Sequence, residues 1–559
     1  MDWRAHIKWV EAVGLFALAL WVRLYLINDT PRLEHPPSWD EIYHILAARS
    51  WMANGSLAIA DGEYSRVPLF TISLGFLFRF FGDDLTVARS YSAVGGSALV
   101  AALFLWVRWN ADRWAAWLAA LLLCFSPMAL FQSQHIRFYS LHAVVFWLGS
   151  VAVYALVMCR LRRWHAVLVT ILAAWLFSLA MYLQITTLIG LAGISLWALF
   201  AWLARSGHEL LTKSRANWLL LLWSVLLLAA AAIALNRFYP GLAGLFYFKP
   251  PMWSQQTGLH SYYMMFIRRY PSFWSLLPLA AIFAIARKSQ PGIFCASIFG
   301  TAIVLHSLVP PRAERYIYYL LPFFFALWAI VLIEAAPYLR RLAAEVVRRT
   351  LNMKPRRCLD KTVASLIIWF VVLFMIASNP AFPIAYRMLA GGPVEFGGIP
   401  LYWWKKAPAW EAAAATLNPF IEHAAIVLTT RGIMTLYHLG RYDIEISKGV
   451  LQETDTGEEF GIDRRTGQRV ISTAESLRQV MACYPSGLIV TTDCAANAPG
   501  SGPSREFCSL YGLSPGATDV VLSGTTVLPL RERSGLRAFY WEHPEGTPLG
   551  KCSFVAPDS

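Results

Sequence analysis

Charge is scarce in this chain. Only 15% of its 559 residues are Asp, Glu, Lys or Arg, while 57% are hydrophobic. That balance excludes a water-soluble protein of this length, in which about a quarter of the residues would be charged. The glycines form no G-x-G-x-x-G pattern, which excludes the usual dinucleotide fingerprint. The eight cysteines have spacings that match no zinc site. No small-residue cleavage site follows the first apolar run, residues 10–27, which Arg4 and Lys8 precede. The run is therefore expected to stay as a first helix and not to be removed as a signal, with Arg23 snorkelling to the interface. Inverted internal repeats, which mark many transporters, are not apparent either.

What the chain does have is hydrophobic length. Mainly apolar runs recur to about residue 378, long enough to cross a bilayer as helix. The expected spans are 10–27, 67–82, one within 93–130, 139–159, 164–182, 185–204, 216–235, 272–286, 292–309, 317–336 and 362–378. This predicts a polytopic α-helical membrane protein with about eleven or more transmembrane helices. The net charge of +14 does not point to nucleic acid, because Lys and Arg gather in short loops: Arg160–Arg163, Arg205–Arg215, Arg287-Lys288 and Arg340–Lys361. Such clusters act as orientation signals. They place these loops in the cytoplasm of a cell inner (plasma) membrane, with the N-terminus inside and the C-terminus outside. Residues 93–130 are long enough for two spans broken at Trp109–Trp114. Two full crossings would invert every later loop, so a broken or re-entrant pair counting as one is expected.

From Asn379 the composition changes. The division is a transmembrane domain, 1–378, with an outer loop at 28–66, and an extracytoplasmic α/β domain, 379–559. The latter carries strands at 424–430, 487–492 and 519–523 and a helix at 473–484. Cys483, Cys494, Cys508 and Cys552 lie in it, where an oxidising compartment permits disulfides and three pairings stay open. Cys124, Cys159 and Cys295 read as buried apolar fillers. An aromatic outer loop, about 236–271, reads as a set of interface anchors.

The stretch Ser38-Trp39-Asp40-Glu41-Ile42-Tyr43-His44 has the S-x-x-E spacing of a capping box, so a helix starts there. Glu41 is then used in capping, and Asp40 is left for another task. Two further polar clusters fall on the same outer side: His135-Ile-Arg137-Phe-Tyr139-Ser-Leu-His142, and Arg312-Ala-Glu314-Arg315-Tyr316. Lone acids at a helix start usually serve the dipole, and arginines at a membrane edge usually snorkel or pair with an acid such as Glu314. Three clusters on one side argue for more.

The order of a first span, Asp40-Glu41, Arg66-Val-Pro-Leu69, Pro127 followed by Arg137-Phe-Tyr139, and Arg315-Tyr316 before Pro322 resembles the GT-C glycosyltransferases. Within them it is similar to the branch of protein O-mannosyltransferases and the lipid A aminoarabinose transferase. The resemblance covers about residues 1–378. It implies inverting transfer of a hexosyl or pentosyl unit from a polyprenyl-phosphate donor, such as one built on undecaprenyl phosphate, to a lipid, glycan or protein acceptor outside the cytoplasm. Asp40, with Glu41 second, would take the acceptor's proton. Arg137, Arg312 and Arg315 would hold the leaving phosphate, with Tyr139 and Tyr316 donating hydrogen bonds. Arg66, His44 and His142 complete the expected substrate-binding set. Asp40 is thus expected close to Arg137 and Arg315.

Two departures matter. Arg66 stands where the family has lysine, and His142 where relatives carry an acid. The second weakens a two-acid metal site, so no metal ligands are assigned, no cofactor is required, and a divalent cation is left unsupported. His44, His135 and His142 read as polar pocket or interface histidines. The alternatives are a transporter, a non-enzymatic scaffold, a polysaccharide ligase, or an oligosaccharyltransferase, the last opposed by Lys405 after Trp403-Trp404.

Overall fold

The computed structural model describes residues 3–28, 37–210, 259–309, 312–351, 366, 370, 372–390, 395–396, 399–400, 410–454, 460–492, 525–530, 535–545 and 549–550. Two compact units emerge. One joins Met1–Asp29 to Arg89–Gly398, and the other joins Thr30–Ala88 to Ile399–Ser559. The expected span 216–235, about half of 362–378, the aromatic loop as far as residue 258, Trp403-Trp404-Lys405, the strand at 519–523 and three of the four C-terminal cysteines lie outside the described residues. Cys483 is disulfide-bonded.

The first unit is helical. Among the described residues five segments are long and apolar enough to cross a membrane: Leu85–Asn110, Tyr139–Met158, Arg163–Leu183, Gln290–Leu308 and Glu314–Leu342. A sixth arises if the bent pair Arg113–Cys124 and Pro127–Gln134, inclined by 57°, is one span. The region expected to be a single broken crossing is therefore one full helix followed by a bent pair. Its sharp bend falls at Phe125-Ser126, where Ser126 caps the next helix and Pro127 opens it. The segments expected at 185–204 and 272–286 contain shorter apolar stretches, Thr187–Ala201 and Leu277–Ala286.

Burial sorts these helices. In Glu314–Leu342, 94% of the most apolar window is inside, against 28% in Arg163–Leu183, so the former is the hub and the latter a lipid-facing wall. Trp164, Val167, Leu168, Ile171 and Trp175 stand exposed on that wall. Apolar residues gain nothing by leaving lipid, so the hub depends on close packing. Phe273 stacks on Trp328 at 5.1 Å, and Tyr154 on Trp197 at 5.5 Å. Arg23 does not snorkel. It is fully buried, with Nε donating to Ser133 Oγ at 2.9 Å and Nη1 to the Ala19 carbonyl at 3.0 Å. Gly96 makes the room, since a Cβ there would lie 3.0 Å from Arg23 Nε. Cys124 and Cys295 are buried as expected of fillers, but Cys159, at a helix end, is exposed.

The second unit is built on a seven-stranded sheet. Its spatial order is Thr526–Val527, Leu536–Glu542, Ser486–Thr492, Ile426–Thr429, Ile444–Ile446, Arg469–Ile471, Phe460–Ile462. The four inner strands from Ser486–Thr492 to Arg469–Ile471 are parallel, and the outer ones antiparallel. Side chains alternate with the pleat. Val427, Leu488, Val490 and Ala538 face helices Trp410–His423 and Gly432–Leu439. Ile426, Leu428, Ile489 and Phe539 face helix Ala474–Cys483.

The same unit takes in the helix Trp39–Asn54, whose Ile42, Tyr43 and Ala47 join the first of these cores. Helix Pro68–Phe81 also belongs here; its 14 residues span about 21 Å, short of the roughly 30 Å hydrocarbon core. A backbone clasp ties the early segment to the late one. Asp61 N–H donates to the Thr466 carbonyl at 3.0 Å, and Gln468 Nε2 to Asp61 Oδ2 at 2.9 Å. Gly467 sits at φ 70°, and a Cβ on it would run into the Asp61 backbone. Gly467→Ala is expected to destabilise this unit by roughly 3 kcal/mol, from left-handed strain plus overpacking, seen as a lower unfolding midpoint by circular dichroism.

Candidate active site

In the first unit, two motifs separated by most of the helices meet. Arg137 and Tyr139 lie at the start of helix Tyr139–Met158, and Arg315 and Tyr316 on the 3-10 turn Glu314–Leu320. The Tyr139 and Tyr316 rings approach edge to face at 6.3 Å. Arg137 lies over Tyr139 at 5.4 Å and its Nη2 donates to the Tyr139 hydroxyl at 3.4 Å. Arg315 lies over its own neighbour Tyr316 at 5.4 Å. Two guanidinium groups thus flank a pair of phenols. Arg137 is only 4% exposed, and a cation that far from water interacts strongly with anionic oxygens.

Glu314, weighed above as a partner for Arg312 or Arg315, forms an ion pair with Arg269. Arg312 donates through Nε to the Ser307 carbonyl at 2.8 Å. The Ala313 backbone is held on both sides by Tyr262, whose hydroxyl donates to the Ala313 carbonyl and accepts from its N–H, each at 3.1 Å. In the sequence Arg269 stands out only as a cation of the aromatic outer loop and Tyr262 not at all, because neither belongs to a motif. His142 is buried, its Nε2 2.8 Å from Thr187 Oγ1. A second buried histidine, His306, lies 3.0 Å from the Tyr319 hydroxyl.

The second unit holds the acids. Helix Trp39–Asn54 starts with the expected capping box, and Ser38 N–H donates to Glu41 Oε2 at 2.8 Å. Glu41 is 1% exposed, committed to the cap, while Asp40 is half-buried on the first turn. His44 is fully buried. Its Nδ1 lies 2.8 Å from Thr71 Oγ1, and Tyr64 and Phe70 pack edge-on against the ring. Arg66 is exposed, just before Val67, which adopts the left-handed region at φ 50°. A β-branched residue pays about 1–3 kcal/mol for that conformation. Among the described residues no three His, Cys, Asp or Glu are grouped to hold a metal ion.

Comparison with solved structures follows this geometry. ArnT from Cupriavidus metallidurans in the apo state aligns over 96% of this chain and 98% of its own, at TM-score 0.54 and 14% identity. The same protein bound to undecaprenyl phosphate aligns over 98% and 99%, also at 0.54 and 14%. The oligosaccharyltransferase AglB from Archaeoglobus fulgidus, in complex with an inhibitory peptide and a dolichol-phosphate, aligns over 96% of this chain and 75% of its own, at 0.54 and 12%. This chain has the GT-C fold. No family model matches it, and no curated protein matches by sequence.

Within the GT-C fold, the acids of the second unit include two that the sequence reading passed over. Glu445 and Asp463 are 4% and 5% exposed. Burial, with Asp463 beside it, raises the Glu445 carboxyl from 4.5 to about 7, against the opposing pull of Arg465 and Arg431. Its folded-state affinity for a proton exceeds that of the unfolded chain. Stability is therefore present at low pH and falls as pH rises from about 4.5 to about 7. Glu445→Gln removes that loss, worth at most about 3 kcal/mol. Thermal unfolding at pH 5 and pH 8 should show the variant's advantage over wild type growing with pH.

Proposed function

We propose that this GT-C chain is a membrane glycosyltransferase that moves a sugar from a polyprenyl-phosphate donor to an acceptor outside the cytoplasm. The observation that carries the reading is the Arg137–Tyr139–Tyr316–Arg315 cluster, a set of cations and phenols suited to a phosphate leaving group. One solved structure with this fold holds undecaprenyl phosphate and another a dolichol-phosphate, which supports a lipid-linked donor. In the proposed reaction an acceptor hydroxyl oxygen bonds to the sugar's anomeric carbon from the face opposite the phosphate, and the carbon–oxygen bond to phosphate breaks with inversion. Asp40 receives the hydroxyl proton, and the phosphate monoester leaves with its extra charge against Arg137 and Arg315. Arg66 and Arg312 add positive charge to the donor's path. The scheme draws on the chain's own carboxylate and cations and calls for no resident cofactor.

In this proposal the chain is a multi-pass protein of the inner or plasma membrane whose acceptor lies outside the cytoplasm. Envelope glycolipids, polymers and proteins from cells carrying wild type or Asp40→Ala are to be compared by mass spectrometry. A sugar-sized mass is expected to vanish from one class in the variant; identical spectra at equal protein levels would defeat the proposal. Arg137→Ala should slow product formation by roughly 100-fold, and an unaltered rate removes that residue from the site.

A further inference from the structure

Trp39 and Tyr43 stand on either side of Asp40-Glu41, one helical turn apart, and each is covered by an arginine from the far end of the chain. Arg431 lies 4.7 Å from the Trp39 ring centre and Arg465 5.1 Å from that of Tyr43. The Arg431 backbone is anchored, its main-chain N–H donating to Thr429 Oγ1 at 3.0 Å. Arg465 Nε donates to Asp463 Oδ1 at 2.8 Å, Asp463 being buried. Tyr442 closes the group, its hydroxyl donating to Thr466 Oγ1 at 2.9 Å, and Tyr43 stacks on Tyr64 at 5.3 Å.

The place in the sheet is informative. The chain leaves Ile426–Thr429 for Ile444–Ile446 on one side and returns by Ser486–Thr492 on the other. In open α/β sheets, ligands settle beyond the carboxyl ends of the strands at such a switch point. Here Arg431, immediately past the carboxyl end of Ile426–Thr429, meets Trp39 of the same chain.

We propose that Arg431 and Arg465 are positioning residues that fix the helical turn bearing Asp40, so that the sheet serves as the seat of the base. The link to turnover rests on the role given to Asp40 above; the seat itself does not. Each cation–aromatic contact draws a guanidinium to a ring face, and two of them one turn apart restrain both ends of a short helical turn.

The test uses the full-length protein in detergent micelles, with Arg431 and Arg465 changed to Ala, Met or Lys, singly and together. Hydrogen exchange read by mass spectrometry should show residues 39–48 exchanging at least tenfold faster in the double Ala and double Met variants, with Ile426–Thr429 and Ser486–Thr492 still protected. The sugar-sized product in cells should fall at least tenfold with them, and the Lys variants, which keep the charge, should recover part of both. Unchanged exchange at 39–48, or protection lost evenly across the sheet, overturns the proposal. A loosened helix with undiminished product overturns its link to turnover. Product that survives Asp40→Asn instead defeats the transferase reading and leaves the exchange result standing.

Discussion

Helix Trp39–Asn54 is held by charge laid on aromatic faces. Arg431 and Arg465 each cover a ring on that helix, and both half-buried guanidinium groups act on the buried carboxyls of Glu445 and Asp463. The cations make the buried acids tolerable, because a lone buried ion costs several kcal/mol and a hydrogen-bonded set costs far less. The clasp at Asp61, the left-handed Gly467 and the stacking of Tyr43 on Tyr64 all serve the same attachment. The sheet therefore has two tasks, to close its own core and to carry a helix that the sequence places hundreds of residues earlier.

The helical unit solves a different electrostatic problem. Its interior is built of rings that pack without any gain from leaving water, and into this it brings arginines. Each is handled locally: Arg23 by Ser133 and a carbonyl of its own helix, Arg269 by Glu314, and Arg137 by the Tyr139 hydroxyl and ring. Arg137 and Arg315 are matched with phenols, which donate and accept hydrogen bonds without cancelling positive charge. Such a group keeps its attraction for an anionic headgroup, whereas the Arg269–Glu314 pair has spent it.

Much of this was legible where the signal is local. The capping box at Ser38 and Glu41 fixes a helix start from spacing alone, and the short apolar runs at 424–430 and 487–492 announce buried strands. The order of Arg137-Phe-Tyr139 and Arg315-Tyr316 pointed to one cluster because both precede apolar spans on the same inferred side. Arg431 and Arg465 were not legible, since a single arginine in a turn has no period and its partner ring lies at the other end of the chain. Arg23 misled for a related reason. Hydropathy reports that a cation is near a membrane edge, but whether it points to headgroups or into a bundle depends on Gly96 of another helix leaving space.

The clasp between Asp61 and the turn at Thr466–Gly467 also sets a timetable. Ribosomes add about 5–20 residues per second, so the early helix emerges on the order of half a minute before the strands that receive it. During that interval Ile42, Tyr43 and Ala47 have no core to enter. A nascent chain of this kind has an exposed apolar patch until its last third is made, which makes it a natural client for holding chaperones. The turn that bears Asp40 is then seated as one of the final events of biogenesis.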